Sequence, residues 1–341
     1  MQDEFVHVKT ADLLKKLPAL AKGGMTEFSV DDIQLAGNKK FIESLCKTVQ
    51  NQCPGMFISF PLQARIIDRP LVELLQETYC SIDIPLEGSV RQGQDSTALL
   101  FDKKLYSTKA ALLNNAGIVF GFSAGYGIQQ GDSFKAFRDR LDFALTLYPN
   151  HINFPQFADG ANGTDGASGN ASPKPTGTYS SKDLDFSRGI SFACRTFYTC
   201  GRAVPWFNSV TKALKVYPTA FFSDFDEWQQ CNNCSFITDY VPENAPHTEI
   251  EKMQLSFLSQ KFEEKHKEHL FAAVKDLVQL NGAFSRVAQE GEESIIQTSY
   301  NPDDILSPYS QDIARFADST AMEMCRVKVF AGADSPDYKI L

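Results

Sequence analysis

The first half of the chain alternates between short runs of β-branched and aromatic residues and longer runs with the apolar spacing of an amphipathic helix, such as residues 39–50. The short runs predict five strands, over residues 25–30, 55–61, 81–86, 117–122 and 151–155. Strands that alternate with helices through short connections form a parallel sheet with right-handed crossovers. The pattern therefore predicts an α/β fold, and two architectures fit it: a (β/α) barrel and a doubly wound sheet.

A change of composition marks the middle of the chain. Residues 158–182 are rich in Gly, Ser, Ala and Asn and contain almost no large apolar side chain, which predicts an exposed linker. The linker separates a first domain, residues 1–157, from a last domain, residues 183–341. Helical spacing dominates the last domain, and two runs, 294–300 and 325–332, are typical of strands. We expect an α-rich domain with a small strand pair.

Composition and charge exclude several classes of protein. The 341 residues are 43% hydrophobic and 22% charged, as expected of a folded chain. The net charge is -9 and no basic stripe is present, so nucleic acid is not expected as a partner. No apolar run approaches the ~20 residues of a membrane span, and the acidic start is not typical of a signal peptide. The eight cysteines are therefore expected to be reduced thiols of a cytoplasmic protein.

Ligands of parallel α/β folds bind beyond the carboxyl ends of the strands, so the residues that follow the predicted strands are the first candidates for a site. Asp31 and Asp32 follow the first strand, where they would either cap the next helix or contact a polar ligand or a metal. Glu87 follows the third strand and would either accept hydrogen bonds from a ribose or an amine, or face solvent in a turn. Gly88 beside it allows a ligand to approach the backbone closely.

A loop of small residues, "GFSAGYG" at 121–127, follows the fourth strand. It matches neither G-x-G-x-x-G nor G-x-x-x-x-G-K-[ST], so phosphate binding through those motifs is not supported. Its composition favours a small-residue loop beneath a bulky ligand. The sequence contains no G-x-S-x-G and no H-E-x-x-H, and therefore predicts neither a serine nucleophile nor a zinc-protease site.

Five stretches of the first half follow one another in a characteristic order: "GGMTEFSVDDIQLAGNKKFIESLCK", "MFISFPLQARIIDRPLVELLQ", "SIDIPLEGS", "GIVFGFSAGYG" and "RLDFALTLYPNHINFPQ". In this order they resemble the later part of a radical S-adenosylmethionine (SAM) barrel, of the group that often carries an N-terminal cobalamin-binding domain. The later stretch "TFYTCGRAVPWFNSVTKAL" is similar to the C-terminal extension of the same group. The resemblance covers most of the chain, and it implies a partial (β/α) barrel with SAM across the carboxyl ends of its strands.

The resemblance also implies roles for the residues at the strand ends. Asp31 and Asp32 match the acidic end of the family's second strand. Glu87, with Gly88 beside it, matches the acidic residue that contacts the ribose or the methionyl amine of SAM. The region that packs on the adenine corresponds to Gly121, Ser123 and Tyr126. The chemistry of the family is reductive cleavage of SAM by a [4Fe-4S] cluster, which forms a 5′-deoxyadenosyl radical.

The cluster ligands of the family, C-x-x-x-C-x-x-C, are absent from this sequence. Cys46 and Cys53 are separated by six residues, and Cys46 lies in a predicted helix. We therefore expect a barrel that lacks its first strand and its cluster loop. The missing part would lie on a partner chain, or the chain would be a fragment, or it would be a degenerate relative. The open strand edge would be covered by a partner, a second copy or residues 1–22.

Cys231 and Cys234, in "QQCNNC", are the remaining candidates for chemistry. Three interpretations stay open. The pair is structural, or it is half of a metal site, since a closed zinc site needs four ligands. The third interpretation is a redox pair, which would be expected at a helix N-terminus within a βαβ unit.

The sequence thus predicts a radical SAM-type protein that binds SAM, in which any radical chemistry depends on a cluster supplied by a partner or a missing segment. The alternative is a non-catalytic α/β binding or assembly subunit, which docks through the open strand edge and the aromatic segment 221–228. An ordinary TIM-like hydrolase is disfavoured because no acid/base pair stands out. The small-molecule substrate is not predicted.

Overall fold

The computed structural model describes residues 8–92, 97–128, 131–154 and 175–341. The chain divides into two compact units, Met1–Leu184 (unit 1) and Asp185–Leu341 (unit 2). Most of the predicted linker, residues 158–182, lies outside the described residues, so the predicted domain boundaries stay predictions. None of the helices in the described ranges is long and apolar enough to cross a membrane.

Unit 1 is built on a five-stranded parallel sheet. Its strands are β1 (Glu27–Ser29), β2 (Phe57–Pro61), β3 (Cys80–Pro85), β6 (Val119–Ser123) and β7 (His151–Asn153), with a hairpin of β4 (Ser89–Gln92) and β5 (Thr97–Leu100) inserted after β3. Each of the five predicted strands overlaps an observed one, and their first residues agree within two positions. The predicted α/β fold is therefore confirmed.

The strands of the parallel sheet lie side by side in chain order, β1-β2-β3-β6-β7. A doubly wound sheet reverses its strand order at a switch point, and this sheet has no such reversal. Because parallel crossovers are right-handed, an order without reversal brings every connecting helix to the same face of the sheet. The sheet of unit 1 is therefore singly wound and carries one layer of connecting helices.

The described residues of unit 1 up to β7 form five α-helices: α1 (Leu13–Lys22), α2 (Lys39–Gln52), α3 (Arg69–Gln76), α4 (Lys103–Asn115) and α5 (Phe134–Leu145). The first turns of α2 to α5 are capped by the side chains of Asn38, Asp68, Asp102 and Ser133. Side-chain amides join neighbouring helices: Gln50 donates to Leu74 O at 3.0 Å, Gln76 to Ala116 O at 3.2 Å and Asn114 to Leu147 O at 3.0 Å. These contacts run from α2 to the end of α5, as a single helix layer requires.

Side chains alternate between the two faces of the sheet. The face beneath the helices is apolar and buried, with Ile58, Phe60, Ile82, Ile84, Phe120, Phe122 and Ile152. The opposite face, called the free face below, carries mostly small or polar side chains, Ser29, Ser59, Ser81, Asp83, Gly121, Ser123, His151 and Asn153, together with Glu27 and the apolar Phe57, Pro61, Pro85 and Val119. Parallel sheets are usually apolar on both faces because helices cover both. A polar free face therefore marks the place to look for a site.

Unit 2 is mostly helical. Its helices are α6 (Ser181–Cys194), which begins in the last residues of unit 1, α7 (Phe207–Leu214), α8 (Pro218–Cys231), α9 (His247–Glu264), α10 (Phe271–Glu290), α11 (Pro302–Leu306) and α12 (Ile313–Ser319). Helix α6 continues directly into a π-helical segment, Arg195–Cys200, whose wider turn the sequence did not predict. Such segments leave backbone groups that need partners from elsewhere.

Three antiparallel strands complete unit 2. They are β8 (Ser294–Thr298), β9 (Cys325–Ala331) and β10 (Pro336–Ile340), in the order β10-β9-β8. The predicted strand pair corresponds to β8 and β9, and β10 adds a third strand that pairs with β9 along its whole length.

The core of unit 2 is aromatic. The ring centroid of Phe197 lies 4.9 Å from the centroids of both Phe221 and Phe225, in edge-to-face geometry. Phe221, Phe222 and Phe225 are each at most 1% exposed. The segment 221–228, predicted to dock a partner, therefore packs its phenylalanines into the core of unit 2. That part of the prediction is wrong, because the three phenylalanine rings are buried within unit 2 and are not accessible to a partner.

Candidate functional site

The carboxyl ends of the parallel strands bring several predicted residues to one edge of the sheet. Asp31 and Asp32 follow β1, Glu87 and Gly88 follow β3, and Ser123 is the last residue of β6. Because β3 lies next to β6 and is separated from β1 only by β2, these residues share a single edge, called the carboxyl edge below.

The two adjacent aspartates have different surroundings. Asp32 uses both carboxylate oxygens locally: Oδ1 accepts from the peptide N–H of Gln34 at 3.0 Å, and Oδ2 accepts from Thr10 Oγ1 at 2.9 Å. The first of these bonds is the helix-capping alternative. Asp31 is exposed and accepts one hydrogen bond, from Ser29 Oγ at 3.1 Å. Of the two, Asp31 keeps more capacity for a ligand.

A tyrosine holds the backbone around Glu87. The peptide N–H of Glu87 donates to Tyr106 Oη at 3.0 Å, and the Tyr106 hydroxyl donates to Pro85 O at 2.7 Å. Burial raises the pKa of Tyr106 to about 12, so its hydroxyl keeps its proton at neutral pH. The half-buried Glu87 carboxylate makes no hydrogen bond or ion pair to any residue that the structure describes. Tyr106 therefore fixes the backbone and leaves this carboxylate available at the carboxyl edge.

Gly88 has a packing role in the hairpin. A Cβ atom at this position would overlap the side chain of Leu99 on β5. The close approach that the sequence assigned to a ligand is thus made by the chain itself.

A buried ion pair shapes the loop after β6. Arg140 Nη1 and Nη2 lie 3.0 and 3.2 Å from the two carboxylate oxygens of Asp132, and Nη2 also donates to Gly125 O at 3.1 Å. Asp132 accepts in addition from the peptide N–H of Gly127 at 3.1 Å. Tyr126, predicted to lie near the adenine, is 2% exposed, with its ring centroid 5.1 Å from that of Phe137. Tyr126 is thus a buried side chain of the loop that follows β6.

Three polar side chains meet on the free face where β3, β6 and β7 lie side by side. Asp83, Gly121 and His151 are direct partners in the sheet register. His151 Nε2 lies 2.8 Å from Asp83 Oδ1, and Asn153 Nδ2 donates to the same oxygen at 2.7 Å. The side chains of His151 and Asp83 are 19% and 29% exposed, so the pair is shielded but reachable.

Gly121 makes this meeting possible. A Cβ atom at Gly121 would overlap the imidazole ring of His151, so the ring reaches Asp83 across a strand only because that strand has no side chain there. The sequence singled out Gly121 but missed Asp83, His151 and Asn153. The signal was present: Ile82, Ile84 and Ile152 alternate with these polar residues, which assigns the polar ones to the opposite face.

The cysteine pair at the end of α8 is split between surface and interior. Cys231 is exposed, whereas Cys234 is buried and its Sγ lies 3.7 Å from Gln229 O. Burial, with the nearby Glu249 carboxylate, raises the pKa of Cys234 to about 11, which disfavours the thiolate that binds metals or attacks disulfides. Among the described residues no three His, Cys, Asp or Glu side chains cluster as a metal site. The described residues therefore offer no third ligand for a metal at Cys231 and Cys234.

Comparison with known proteins does not assign this chain to a family. The sequence matches no protein family, and it matches no curated protein. Two solved structures of the radical SAM methyltransferase TsrM from Kitasatospora setae resemble part of the fold, one with cobalamin and a [4Fe-4S] cluster, the other with tryptophan substrate and the SAM analogue aza-SAM. The identities are 13% and 14%, and the TM-score is 0.33 for both.

The matched region is also short. It covers 43% of this chain, and 28% and 30% of the two methyltransferase chains. The chain thus spans less than a third of the length of the structures it matches. A likeness at this level assigns no activity, and the function has to be argued from the geometry of unit 1.

Proposed function

We propose that unit 1 binds SAM at the carboxyl edge of its sheet, as part of a radical SAM-type (β/α) barrel. The observation that carries the proposal is the singly wound sheet with a polar free face. In a (β/α) barrel the strands follow the chain order, the helices lie outside, and the carboxyl ends of the strands bind the ligand. The sheet would be an arc of such a barrel, and the predicted absence of the first strand belongs to the proposal.

The chemistry of the carboxyl edge suits SAM. SAM offers hydrogen-bond donors, in its ammonium group and ribose hydroxyls, and carries a positive sulfonium. The carboxyl edge offers carboxylates, of which Glu87 and Asp31 have oxygen lone pairs not used by the described residues. Glu87 would accept from the ribose or the amine, as the resemblance to the family implies. A charge-assisted bond of this kind contributes about 1.5–3 kcal/mol.

The cysteines of unit 1 do not fit a [4Fe-4S] cluster. A cluster needs thiolates at its irons, but Cys46 and Cys80 are buried, and burial raises their pKa values to about 11 and about 12. Cys53 is 1% exposed and its pKa is also raised by burial. The proposal therefore derives no radical step from this chain. It assigns the cluster to a C-x-x-x-C-x-x-C segment carried by a partner.

Calorimetric titration with SAM tests the proposal. We expect one site per chain, and in Glu87→Gln roughly 10–100-fold weaker binding, because one charge-assisted bond is lost. Glu77→Gln is the matched control: Glu77 is exposed and precedes β3, so it lies at the opposite edge of the sheet. The control should bind like the wild type. Equal losses in both variants would contradict the site at Glu87, and an absence of binding would contradict the function.

Anaerobic iron–sulfur reconstitution of the same preparation tests the assignment of the cluster. We expect no stoichiometric [4Fe-4S] cluster on this chain alone. A stoichiometric cluster, seen by absorbance and iron content, would overturn the partner part of the proposal and leave the SAM site standing.

A second candidate is a non-catalytic assembly subunit. It is supported by apolar side chains at the amino ends of the strands, where Tyr79 is 68% and Val119 is 43% exposed. A shallow groove of about 350 Å³ lies beside Tyr79 and is lined also by Thr26, Glu27, Gly55 and Phe57. Exposed apolar side chains that lie together favour a protein contact. In this case SAM would not bind, and Glu87→Gln would have no effect.

A further inference from the structure

We propose that Asp83 and His151 form a proton-accepting pair on the free face, which takes a ligand hydroxyl or ammonium group as its proton donor. The inference deepens the proposed function and rests on it only for the position of the ligand. The chemistry of the pair follows from the side chains of this chain alone.

The tautomer of His151 follows from its neighbours. Asp83 Oδ1 already accepts from Asn153 Nδ2 at 2.7 Å, as an ionised carboxylate oxygen can. A carboxylate has no proton to give, so His151 Nε2, at 2.8 Å from the same oxygen, is the donor. In a neutral imidazole the other nitrogen, Nδ1, then carries the lone pair. Nδ1 makes no hydrogen bond to any residue in the described part of the chain.

The pair is held in place by the sheet. Register pairing sets Asp83, Gly121 and His151 side by side, and the missing side chain at Gly121 gives the ring its space. Two hydrogen bonds set the start of β7: Asn150 N donates to Phe120 O at 2.7 Å, and Phe120 N donates to Asn150 Oδ1 at 3.1 Å. Sites on strands of a rigid sheet keep their geometry better than sites on loops.

A second histidine shows what a structural imidazole looks like in the same chain. His247 in unit 2 is 8% exposed and has a partner on each ring nitrogen, Arg286 Nη1 at 3.0 Å from Nδ1 and Gly201 O at 3.4 Å from Nε2. His151 has a partner on Nε2, lies at the polar free face and keeps Nδ1 for another molecule. This is the arrangement of a base oriented by a carboxylate.

The proton step balances within the pair and its ligand. The O–H or N–H bond of the ligand breaks, the proton passes to Nδ1, and the electron pair stays on the ligand oxygen or nitrogen. The resulting imidazolium is stabilised by the adjacent Asp83 carboxylate. Asn153 keeps the carboxylate in position through its own hydrogen bond.

Carbethoxylation by diethylpyrocarbonate, followed at each histidine by peptide mass spectrometry, tests the pair without any ligand. In this reaction the imidazole lone pair attacks the carbonyl carbon, and ethyl carbonate leaves. We expect Asp83→Asn to slow the reaction of His151 several-fold, because a carboxylate partner orients the imidazole and raises the basicity of its lone pair. The exposed His266 and His269 are internal references and should react at unchanged rates.

Two further variants sharpen the result. Asp139→Asn removes an exposed carboxylate of α5 and should leave the His151 rate unchanged. Asn153→Ala removes one hydrogen bond but keeps the carboxylate, and should slow His151 less than Asp83→Asn does. An unchanged His151 rate in Asp83→Asn would overturn the pair. If Asp83→Asn does not fold, the tautomer of His151 in the wild type is measured instead, by a long-range nitrogen–proton spectrum. A proton on Nδ1 would overturn the proposed pair, which requires it on Nε2.

SAM separates this inference from the proposed function. If SAM slows the reaction of His151, the ligand lies against the pair, as we expect. If the wild type and Asp83→Asn differ as predicted but SAM has no effect, the proton-accepting pair stands and the SAM site fails. Protection by SAM with no difference between the two proteins would support the ligand position and overturn the pair.

Discussion

Each unit links a histidine to a carboxylate, directly in unit 1 and through an arginine in unit 2. In unit 1, His151 contacts Asp83 on the polar free face, where both side chains are partly exposed. In unit 2, Arg286 Nη1 bridges His247 and Glu251, at 3.0 and 2.7 Å, in the interior. A histidine and a carboxylate are therefore partly exposed in unit 1 and buried in unit 2. This difference in exposure distinguishes side chains that can meet a ligand from side chains that stabilise the fold.

The polar interior of unit 2 supports the π-helical segment. Gln254 Nε2 donates to Phe197 O at 2.7 Å and to Gly201 O at 2.9 Å, two carbonyls at the π turn. Together with His247, Glu251 and Arg286 it forms what we call the buried network, whose members are each at most 8% exposed. Side chains that satisfy displaced backbone carbonyls and each other are part of the framework. The hydrogen bonds of this network run to the backbone and between its own members, in contrast with the unit 1 pair.

The largest effect is expected from removing the arginine of the buried network. Arg286→Met leaves Glu251 as a buried charge without its partner, which costs about 3–5 kcal/mol of stability. The double variant Arg286→Met/Glu251→Met removes both charges and should recover most of the loss. Lys212→Met is the control, since its ion pair with Asp312 is 67% and 48% exposed and should cost at most about 1 kcal/mol.

Urea unfolding followed by tryptophan fluorescence measures the stability of unit 2, to which Arg286 belongs. Both tryptophans of the chain, Trp206 and Trp228, lie in unit 2. A loss in Arg286→Met no larger than in Lys212→Met would mean that the network is not needed for the fold. The contrast between the buried network, which stabilises unit 2, and the Asp83–His151 pair, which is placed to meet a ligand, would then not hold.

The second effect concerns pH. Burial, with Arg202 and Arg286 nearby, lowers the pKa of His247 from 6.5 to about 4. Above pH 6.5 both folded and unfolded states are neutral, so stability does not change. Between pH 6.5 and 4 only the unfolded state binds the proton, and stability falls with falling pH by about 1.4 kcal/mol per pH unit, about 3 kcal/mol in all.

Asp276 provides the opposite sign within the same unit. Burial raises its pKa from 3.8 to about 6, although it accepts hydrogen bonds from the peptide N–H groups of Ser299 and Tyr300. Between pH 6 and 3.8 the folded state binds the proton first, so this group adds stability as the pH falls.

Stability curves of His247→Gln and Asp276→Asn against pH, subtracted from the wild-type curve, should therefore slope in opposite directions. Slopes of equal sign between pH 6 and 4 would show that one of the two side chains is more solvated than its burial indicates.

The fold of unit 1 was largely readable from the sequence, because alternation of apolar residues with helical runs is a local signal. The hairpin was missed: Ser89–Gln92 contains one apolar residue, and four residues are too few to show a period. The π-helical segment was read as regular helix because its wider turn leaves no distinct spacing over six residues.

The candidate site was readable only in part. Glu87 and the aspartates after β1 follow from the rule on strand ends. The contact of Asp83 with His151 spans 68 positions and depends on the register of three strands, which no local pattern contains. The sequence singled out Gly121 for a ligand, whereas the structure shows that the first group to use its space is the ring of His151.

The smallest effect concerns how rigidly unit 1 positions the Asp83–His151 pair. Gly121→Ala places a methyl group against the His151 ring, and overpacking of this kind costs about 1–3 kcal/mol. Gly177→Ala is the matched control, because no heavy atom lies within 4 Å of an added Cβ there, and it should change stability by at most about 0.5 kcal/mol. Thermal unfolding by far-UV circular dichroism measures both.

The double variant Gly121→Ala/His151→Ser decides what causes the loss. Since serine leaves the space above the added methyl group open, the double variant should be at least as stable as Gly121→Ala alone, and the two changes should be strongly non-additive. A Gly121→Ala protein as stable as Gly177→Ala would show that the imidazole moves aside without cost. An imidazole that moves freely would not be preorganised for a ligand, and the free face would then differ from the buried network only in exposure.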